Sequence, residues 1–155
     1  MEKLKQVNDW RVSEVELVYK SKVDVVNLPK IRASEDAYKV FIEHWDDNKI
    51  DYLEQALAMY LDRGGRVLGI FNVASGGIDG VMIDCRLMFA TGLLIKASSI
   101  IMAHNHPSGN LKPSEADIYF SKKIEECGRT LNITLIDNLI VTRNGFYSFS
   151  DQGLL

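Results

Sequence analysis

The sequence has few of the residues that hold small secreted or zinc-stabilised domains together: its 155 residues include two cysteines, three prolines and three histidines. Cys85 and Cys127 lie 42 positions apart and form neither a disulfide framework nor a zinc knuckle, so we expect both to be buried and reduced. No apolar run approaches the ~20 residues of a membrane span, and the N-terminus lacks the apolar core of a signal peptide. These absences predict a cytoplasmic protein that does not contact a membrane.

Positive charge is also scarce. The chain has 18 Lys and Arg against 21 Asp and Glu, for a net charge of −3. Residues 33–155 hold eleven of these basic and sixteen of these acidic side chains, a balance that does not favour direct binding to DNA. With 46% hydrophobic and 25% charged residues, the composition is that of an ordinary globular protein, and the length suits one domain.

The pattern divides the chain into a lead-in, residues 1–33, and one main domain, residues 34–155. Residues 13–20 alternate apolar and polar side chains, which predicts a half-buried strand in the lead-in. Ser34 is expected to cap the first helix of the main domain. The predicted apolar face of that helix comprises Ala37, Val40, Phe41, His44 and Trp45. We interpret His44, on this face, as a structural residue.

Strand and helix patterns alternate through the rest of the main domain. The predicted elements are strands at 52–62 and 66–74, a loop at 75–80, a helix at 84–97, a strand at 98–106, a helix from Ser114 to about Glu126, and β stretches at 132–136, 138–142 and 146–150. Gly128 is expected to end the last helix. Helices that alternate with strands and hairpins predict an α/β fold, namely a three-layer α/β/α domain with a mixed sheet.

Two of the three histidines, His104 and His106, stand one residue apart where an apolar strand ends. Side chains at positions i and i+2 share one face of a strand, so both imidazoles can bind one metal ion. A Pro-Ser-Gly turn follows, and ten residues separate His106 from Asp117, which lies in the first turn of the helix that begins at Ser114. Two His and one Asp leave the fourth position of a tetrahedral zinc for water, as in catalytic zinc sites.

A second interpretation of the same residues needs no metal. Ser114 and Asp117 fit a capping box, which stabilises the start of a helix by about 0.5–2 kcal/mol. Capping by itself does not account for the paired histidines. Metal binding is therefore the favoured interpretation, with capping as the alternative.

The stretch HNHPSGNLKPSEAD, residues 104–117, resembles the signature of the RadC-like family, a branch of the JAMM/MPN metalloprotease superfamily. That signature is His-x-His, ten residues and Asp, with Ser three positions before the Asp. The resemblance runs from about residue 34 to the end and includes SGGIDG, ASSIIMAHNHPSG and FYSFSDQGLL. It implies a JAMM/MPN, cytidine-deaminase-like architecture.

The resemblance also implies an activity. It implies a zinc-dependent hydrolase that acts as a peptidase or isopeptidase on a peptide or protein substrate, without a covalent intermediate. It implies Zn²⁺ as the cofactor, with the ligands His104, His106 and Asp117. The implied general base is Glu54, and Ser114 is the implied donor to the oxyanion. Spacing alone does not distinguish Glu54 from the nearby carboxylates Glu43, Asp51 and Asp62.

Two features depart from the family pattern. Asn138 follows Asp137 where family members commonly have His, which affects substrate choice and efficiency, and the lead-in does not resemble the DNA-associated N-terminal region of longer relatives. Two alternative functions stay open: a RadC-type DNA-repair protein that acts on or beside DNA, and a non-catalytic zinc-containing binding module. The sequence patterns of zinc deaminases and of His-Glu-x-x-His proteases are absent.

Overall fold

A computed structural model describes residues 13, 15, 16, 18–76 and 83–155. Its strands are β1 (Gln55–Leu61), β2 (Val67–Ser75), β3 (Ser99–Asn105), β4 (Thr134–Thr142) and β5 (Gly145–Ser148). They form one five-stranded sheet in the order β2-β1-β3-β4-β5. Strands β3 and β4 pair in parallel and the other neighbours pair antiparallel, so the sheet is mixed, as the sequence predicts.

Helices cover both faces of the sheet. They are α1 (Ser34–His44), α2 (Cys85–Leu94) and α3 (Glu115–Leu131). Phe41 of α1 packs with Ile101 on one face, whereas Met88 of α2 and Ile124 of α3 pack with Met102 on the other. This arrangement confirms the predicted three-layer α/β/α fold. In the described part of the chain, none of the helices combines the length and apolar character that crossing a bilayer demands.

The central strands of the sheet, β1 and β3, are enclosed by protein, which limits how polar side chains on them can be oriented. All seven residues of β1 are buried, because the strand has neighbours on both sides and helices on both faces. Strand β3 lies between β1 and β4, with Ala56 and Ile140 as the partners of His104. The backbone of a polar residue in β3 is therefore paired with strands on both sides. The alternation of side chains along the strand decides which face of the sheet its side chain points to.

The predicted strand over residues 13–20 is wrong at the positions that the structure describes, which are 13, 15, 16 and 18–20. None of them is in a strand, and Val15 is 87% exposed. The described segment contacts the sheet through a side chain instead, since the Tyr19 hydroxyl donates to the Leu68 carbonyl at 2.7 Å. Alternating residues form a stable strand only when a neighbouring strand pairs with them.

The N-cap and the apolar face of α1 also differ from the sequence-based expectation. Ala33 occupies the N-cap position, and Ser34 is the first helical residue. Ala37 and Phe41 are buried as predicted, whereas His44 is exposed, with Nδ1 2.8 Å from the Val40 carbonyl. The prediction that His44 lies on the apolar face is wrong: Phe41 and Trp45 on either side of it are buried, whereas His44 itself faces solvent.

The expected helix end at Gly128 is wrong as well. Helix α3 continues to Leu131, and Asn132 in the left-handed conformation, with φ 55°, forms its C-cap. Gly128 is needed for a close approach, because a Cβ atom there would overlap the Ile133 carbonyl oxygen. A short polar side chain can adopt the left-handed conformation that closes a helix, so glycine is not required at the cap itself.

Two smaller expectations concern the second helix and its surroundings. Cys85 and Cys127 are free thiols but half-buried rather than buried, and burial raises the pKa of the Cys85 thiol. Helix α2 ends at Leu94, before the predicted position 97. The predicted loop at 75–80 lies mostly outside the described residues, which resume at 83.

Candidate metal centre

The two paired histidines converge at the end of β3. His104 is in the strand and His106 directly follows it. Both side chains are largely buried, and their Nε2 atoms lie 3.2 Å apart. The rings are inclined at 61°, with centroids 4.9 Å apart. The alternation of the strand therefore brings the two imidazoles together, as the spacing predicts.

The first turn of α3 brings a carboxylate to the same point. Asp117 Oδ1 lies 3.2 Å from His104 Nε2, and Asp117 Oδ2 lies 3.7 Å from His106 Nε2. Ser114 is the N-cap, and its hydroxyl oxygen accepts a hydrogen bond from the Asp117 N–H at 3.1 Å. Asp117 Oδ2 in turn accepts the Ser114 N–H and hydroxyl, each at 2.7 Å. The capping box and the three-residue cluster thus coexist, and one explanation does not exclude the other.

The distances in the cluster suit a tetrahedral metal ion. Bonds of about 2.0–2.2 Å from zinc to nitrogen or oxygen place two tetrahedral ligand atoms roughly 3.3–3.6 Å apart. His104 Nε2 lies 3.2 Å from both His106 Nε2 and Asp117 Oδ1, close to that range. Because the Ser114 bonds end on Oδ2, Asp117 Oδ1 is free to face an ion. His104, His106 and Asp117 could therefore hold one metal.

A backbone contact orients one of the imidazoles. His106 Nδ1 lies 2.6 Å from the Asn110 carbonyl oxygen, which can only accept, so Nδ1 carries the proton. That tautomer leaves the Nε2 lone pair directed at the cluster, as a metal ligand requires. The turn at residues 107–110 therefore does more than reverse the chain: it sets the tautomer of the neutral His106 ring.

The electrostatics of the cluster favour an ionised carboxylate. Burial raises the pKa of Asp117, but the contacts with His104, His106 and Ser114 outweigh it and hold that pKa well below its usual range. The nearby Asp117 carboxylate raises the pKa of His106, against the opposing effect of burial. A ligating imidazole must be neutral, so protons and a metal ion compete for His106.

A cavity of about 590 Å³ opens onto the cluster. The polar residues that line it include Glu54, His104, His106, Ser114, Asp117 and Asn138. Its wall also has an apolar part, formed by Ile83, Met102 and Phe120. The cavity therefore combines acid–base groups with apolar surface, as substrate sites commonly do.

The structure separates Glu54 from the other carboxylates that spacing could not exclude. Glu54 directly precedes β1 and lines the cavity, and its charge adds to the raised pKa of His106. Asp51 instead binds the Arg143 guanidinium at 2.8 Å. Asp62 accepts hydrogen bonds from the Gly64–Arg66 turn, and Glu43 is exposed on α1. Glu54 is the one of these four carboxylates beside the cluster.

Asn138, the residue expected from the resemblance to depart from the family pattern, lies in the cavity wall. It is 3% exposed and donates through Nδ2 to the Ser121 hydroxyl at 2.5 Å. Ser121 is one turn after Asp117 on α3, so this contact ties the helix that carries the third cluster residue to β4. The Oδ1 atom of Asn138 is buried without a hydrogen-bond partner among the described residues. Asn138 therefore contributes to the polar lining of the cavity.

Sequence reasoning missed Asn105, the residue between the two histidines. Its side chain is fully buried and makes three hydrogen bonds. The available signal was its position: an amide at the end of an apolar strand, flanked by two residues that face the other way, must be buried and needs partners.

Residues 31–154 match the family model of the RadC-like JAB domain. The chain belongs to this family. Curated relatives of the RadC-like chain include UPF0758 proteins from Flavobacterium johnsoniae, with 35% identity over 84% of this chain, and from Clostridium perfringens, with 31% identity over 90%. A third, from Methanosarcina acetivorans, is 31% identical over 81% of this chain.

The RadC-like chain spans about half the length of the curated relatives it matches. Its alignments cover 56% of the Flavobacterium protein, 60% of the Clostridium protein and 54% of the Methanosarcina protein. The family match includes every member of the predicted site, from Glu54 to Asp117. The JAB domain therefore contains the whole candidate metal centre.

Proposed function

We propose that this RadC-like JAB domain is a zinc-dependent hydrolase that cleaves an amide bond in a peptide or protein substrate. The observation that carries the proposal is the convergence of His104 Nε2, His106 Nε2 and the Asp117 carboxylate in one cavity with Glu54. Two imidazoles and one carboxylate are a donor set typical of catalytic zinc sites. Structural zinc sites use four protein ligands instead.

Zinc, Glu54 and the apolar wall of the cavity have separate roles in the proposed reaction. When bound, zinc supplies Lewis acidity that makes a water nucleophilic at neutral pH. Glu54 accepts the proton of the attacking water and returns it to the leaving amine, a role that needs a carboxylate in the cavity but outside the ligand set. The apolar surface of Ile83, Met102 and Phe120 binds substrate and excludes water from the reacting atoms.

Ser114 is the proposed donor to the oxyanion. Its hydroxyl now donates to Asp117 Oδ2 at 2.7 Å, so this role requires the hydroxyl to rotate from the carboxylate toward the substrate. The backbone N–H of Ser114 bonds the same oxygen and keeps Asp117 in place while the hydroxyl turns. Removing one such donor typically costs about 10²–10³ in turnover.

The proposal is tested first by metal content. Protein purified without an affinity tag is expected to contain about one zinc per chain by elemental analysis, and His104→Ala is expected to contain none. The matched control is His44→Ala, which removes an exposed imidazole outside the cluster and should leave zinc unchanged. A wild-type protein that takes up no zinc at neutral pH would overturn the proposal and direct attention to partner and DNA binding.

With zinc established, peptide and isopeptide substrates are screened for hydrolysis. Turnover that requires zinc and Glu54 supports a hydrolase. Zinc-loaded protein that cleaves none of them, but retains a bound protein partner, would favour the binding-module alternative. Salt-dependent binding of duplex DNA would favour the DNA-associated one.

A further inference from the structure

We propose that Asn105 is a positioning residue that sets the place of Glu54 relative to the metal centre; this inference rests on the proposed function. Asn105 is the last residue of β3 and is fully buried. Since side chains alternate along a strand, its amide points away from the face that carries His104. One short stretch of strand thus presents metal ligands on one side and an amide on the other.

The Asn105 side-chain amide forms its hydrogen bonds with the chain segment that leads into β1. Nδ2 donates to the Ile50 carbonyl at 2.6 Å and to the Leu53 carbonyl at 3.0 Å. Oδ1 accepts the Gln55 N–H at 2.7 Å. Carbonyls only accept and a backbone N–H only donates, so these partners determine the orientation of the amide. Both of its protons are used.

These contacts bracket Glu54. The Leu53 carbonyl belongs to the peptide group before Glu54, and the Gln55 N–H belongs to the peptide group after it. A third point comes from the end of β2, because the Gly76 N–H donates to the Glu54 carbonyl at 3.2 Å. The backbone on both sides of Glu54 is therefore fixed to the residue that separates His104 from His106.

The reaction needs this connection because residues 46–53 form turns rather than a regular element. A general base must lie within about 2.6–3.2 Å of the proton it accepts, and a displacement of about 1 Å can lower turnover by about 10²-fold. Without Asn105, the position of Glu54 would depend on the turns at residues 46–53. With Asn105, the base and the metal ligands are parts of one rigid unit.

The test compares Asn105→Ala, Glu54→Gln and the double variant with the wild-type protein. Ser75→Ala is the matched control, because it removes the other anchor of Gln55, a 3.0 Å bond from Gln55 Nε2, and leaves Asn105 intact. Three readouts apply: zinc affinity by chelator competition, amide hydrogen exchange at Gln55 relative to Met59 in the middle of β1, and turnover by the zinc-loaded protein.

For Asn105→Ala we expect zinc affinity within about threefold of wild type, because the ligands stay on the paired strand and on α3. Exchange at Gln55 should rise by at least about tenfold while Met59 is unchanged. Turnover should fall by about 10²-fold, and the double variant should be no slower than Glu54→Gln alone. The control should keep wild-type turnover.

Other outcomes overturn the inference. A loss of zinc with unchanged exchange at Gln55 would mean that Asn105 acts on the ligands, and additive losses in the double variant would mean that it does not act through Glu54. If Asn105→Ala does not fold, the wild-type protein decides: rapid exchange of the Gln55 amide or of the Asn105 side-chain amide would contradict the contacts. If the wild-type protein hydrolyses nothing, the proposed function fails, whereas exchange and zinc affinity still report on Asn105.

Discussion

Two aspartates, Asp117 at the start of α3 and Asp137 in β4, are both shielded from water, yet their pKa values move in opposite directions. Burial is the largest influence on each. Asp137 receives only neutral donors, the Ser148 hydroxyl at 2.6 Å and backbone N–H groups at 2.8 and 3.0 Å, and its pKa stays raised. Asp117 faces two imidazoles as well, and its pKa is lowered. Burial alone favours a neutral acid, so the contacts with the two imidazoles and Ser114 are what hold the pKa of Asp117 down and keep its carboxylate ionised, as a cation ligand must be.

The largest expected effect follows from replacing each aspartate by its amide. Asp117→Asn should empty the metal site, because a neutral amide oxygen is a poorer zinc ligand than a carboxylate. Asp137→Asn is the matched control and should keep about one zinc per chain. The measurement is zinc content after gel filtration, followed by chelator competition. Equal zinc content in both variants would show that the charge of Asp117 is not needed.

A third carboxylate extends the comparison from metal binding to chemistry. Glu54→Gln keeps the shape of the side chain but cannot accept a proton, so turnover should fall by about 10²–10⁴-fold with zinc retained. Glu43→Gln changes an exposed carboxylate on α1 and should have no effect. The measurement is kcat/KM on the substrate found by screening. Full activity in Glu54→Gln would assign the proton transfer to another group.

The hydrogen bonds that Asp117 receives from Ser114 also stabilise α3. Ser114→Ala should lower the free energy of unfolding by about 1 kcal/mol, as expected for the loss of an N-cap. Ser150→Ala, at an exposed position near the chain end, is the control and should change stability by less than about 0.5 kcal/mol. Urea denaturation measures both. Equal stability of the two variants would remove the capping box as a source of stability.

The smallest expected effect is in the pH dependence of stability. Because the folded-state pKa of Asp137 is raised, its stabilising effect is complete below the unfolded pKa of about 3.9 and is lost as pH rises through the folded pKa. Asp137→Asn removes this loss, so the variant should gain stability relative to wild type between about pH 4 and pH 7. Urea denaturation across that range checks it; a constant difference would contradict the raised pKa.

The chain's local patterns predicted most of the fold and three members of the cluster. Residues spaced by two on a strand, and a carboxylate three positions after an N-cap, are local geometry, so the sequence alone could place His104, His106 and Asp117 together. The lead-in over residues 13–20 has an equally regular alternation but forms no strand at its described positions. Alternation reports which side chains could be buried; a strand also needs a partner.

Contacts between distant parts of the chain decided the rest. Residues 54 and 104 are brought together by the pairing of β1 with β3, and spacing alone could not prefer Glu54 over Asp51 or Asp62. The same pairing places Asn105 against the turns before β1, where its amide is satisfied by three backbone groups.

The sequence by itself determined the α/β class, the family and the short-range donor set, because those depend on periodicity and on spacings within one strand, turn and helix. Tertiary structure alone decided which carboxylate enters the cavity, that α3 passes Gly128, and that Asn105 faces Glu54's backbone. Those outcomes depend on which surfaces meet across the sheet. Burial restricts which surfaces can pack together, because every polar group removed from water must find a hydrogen-bond partner.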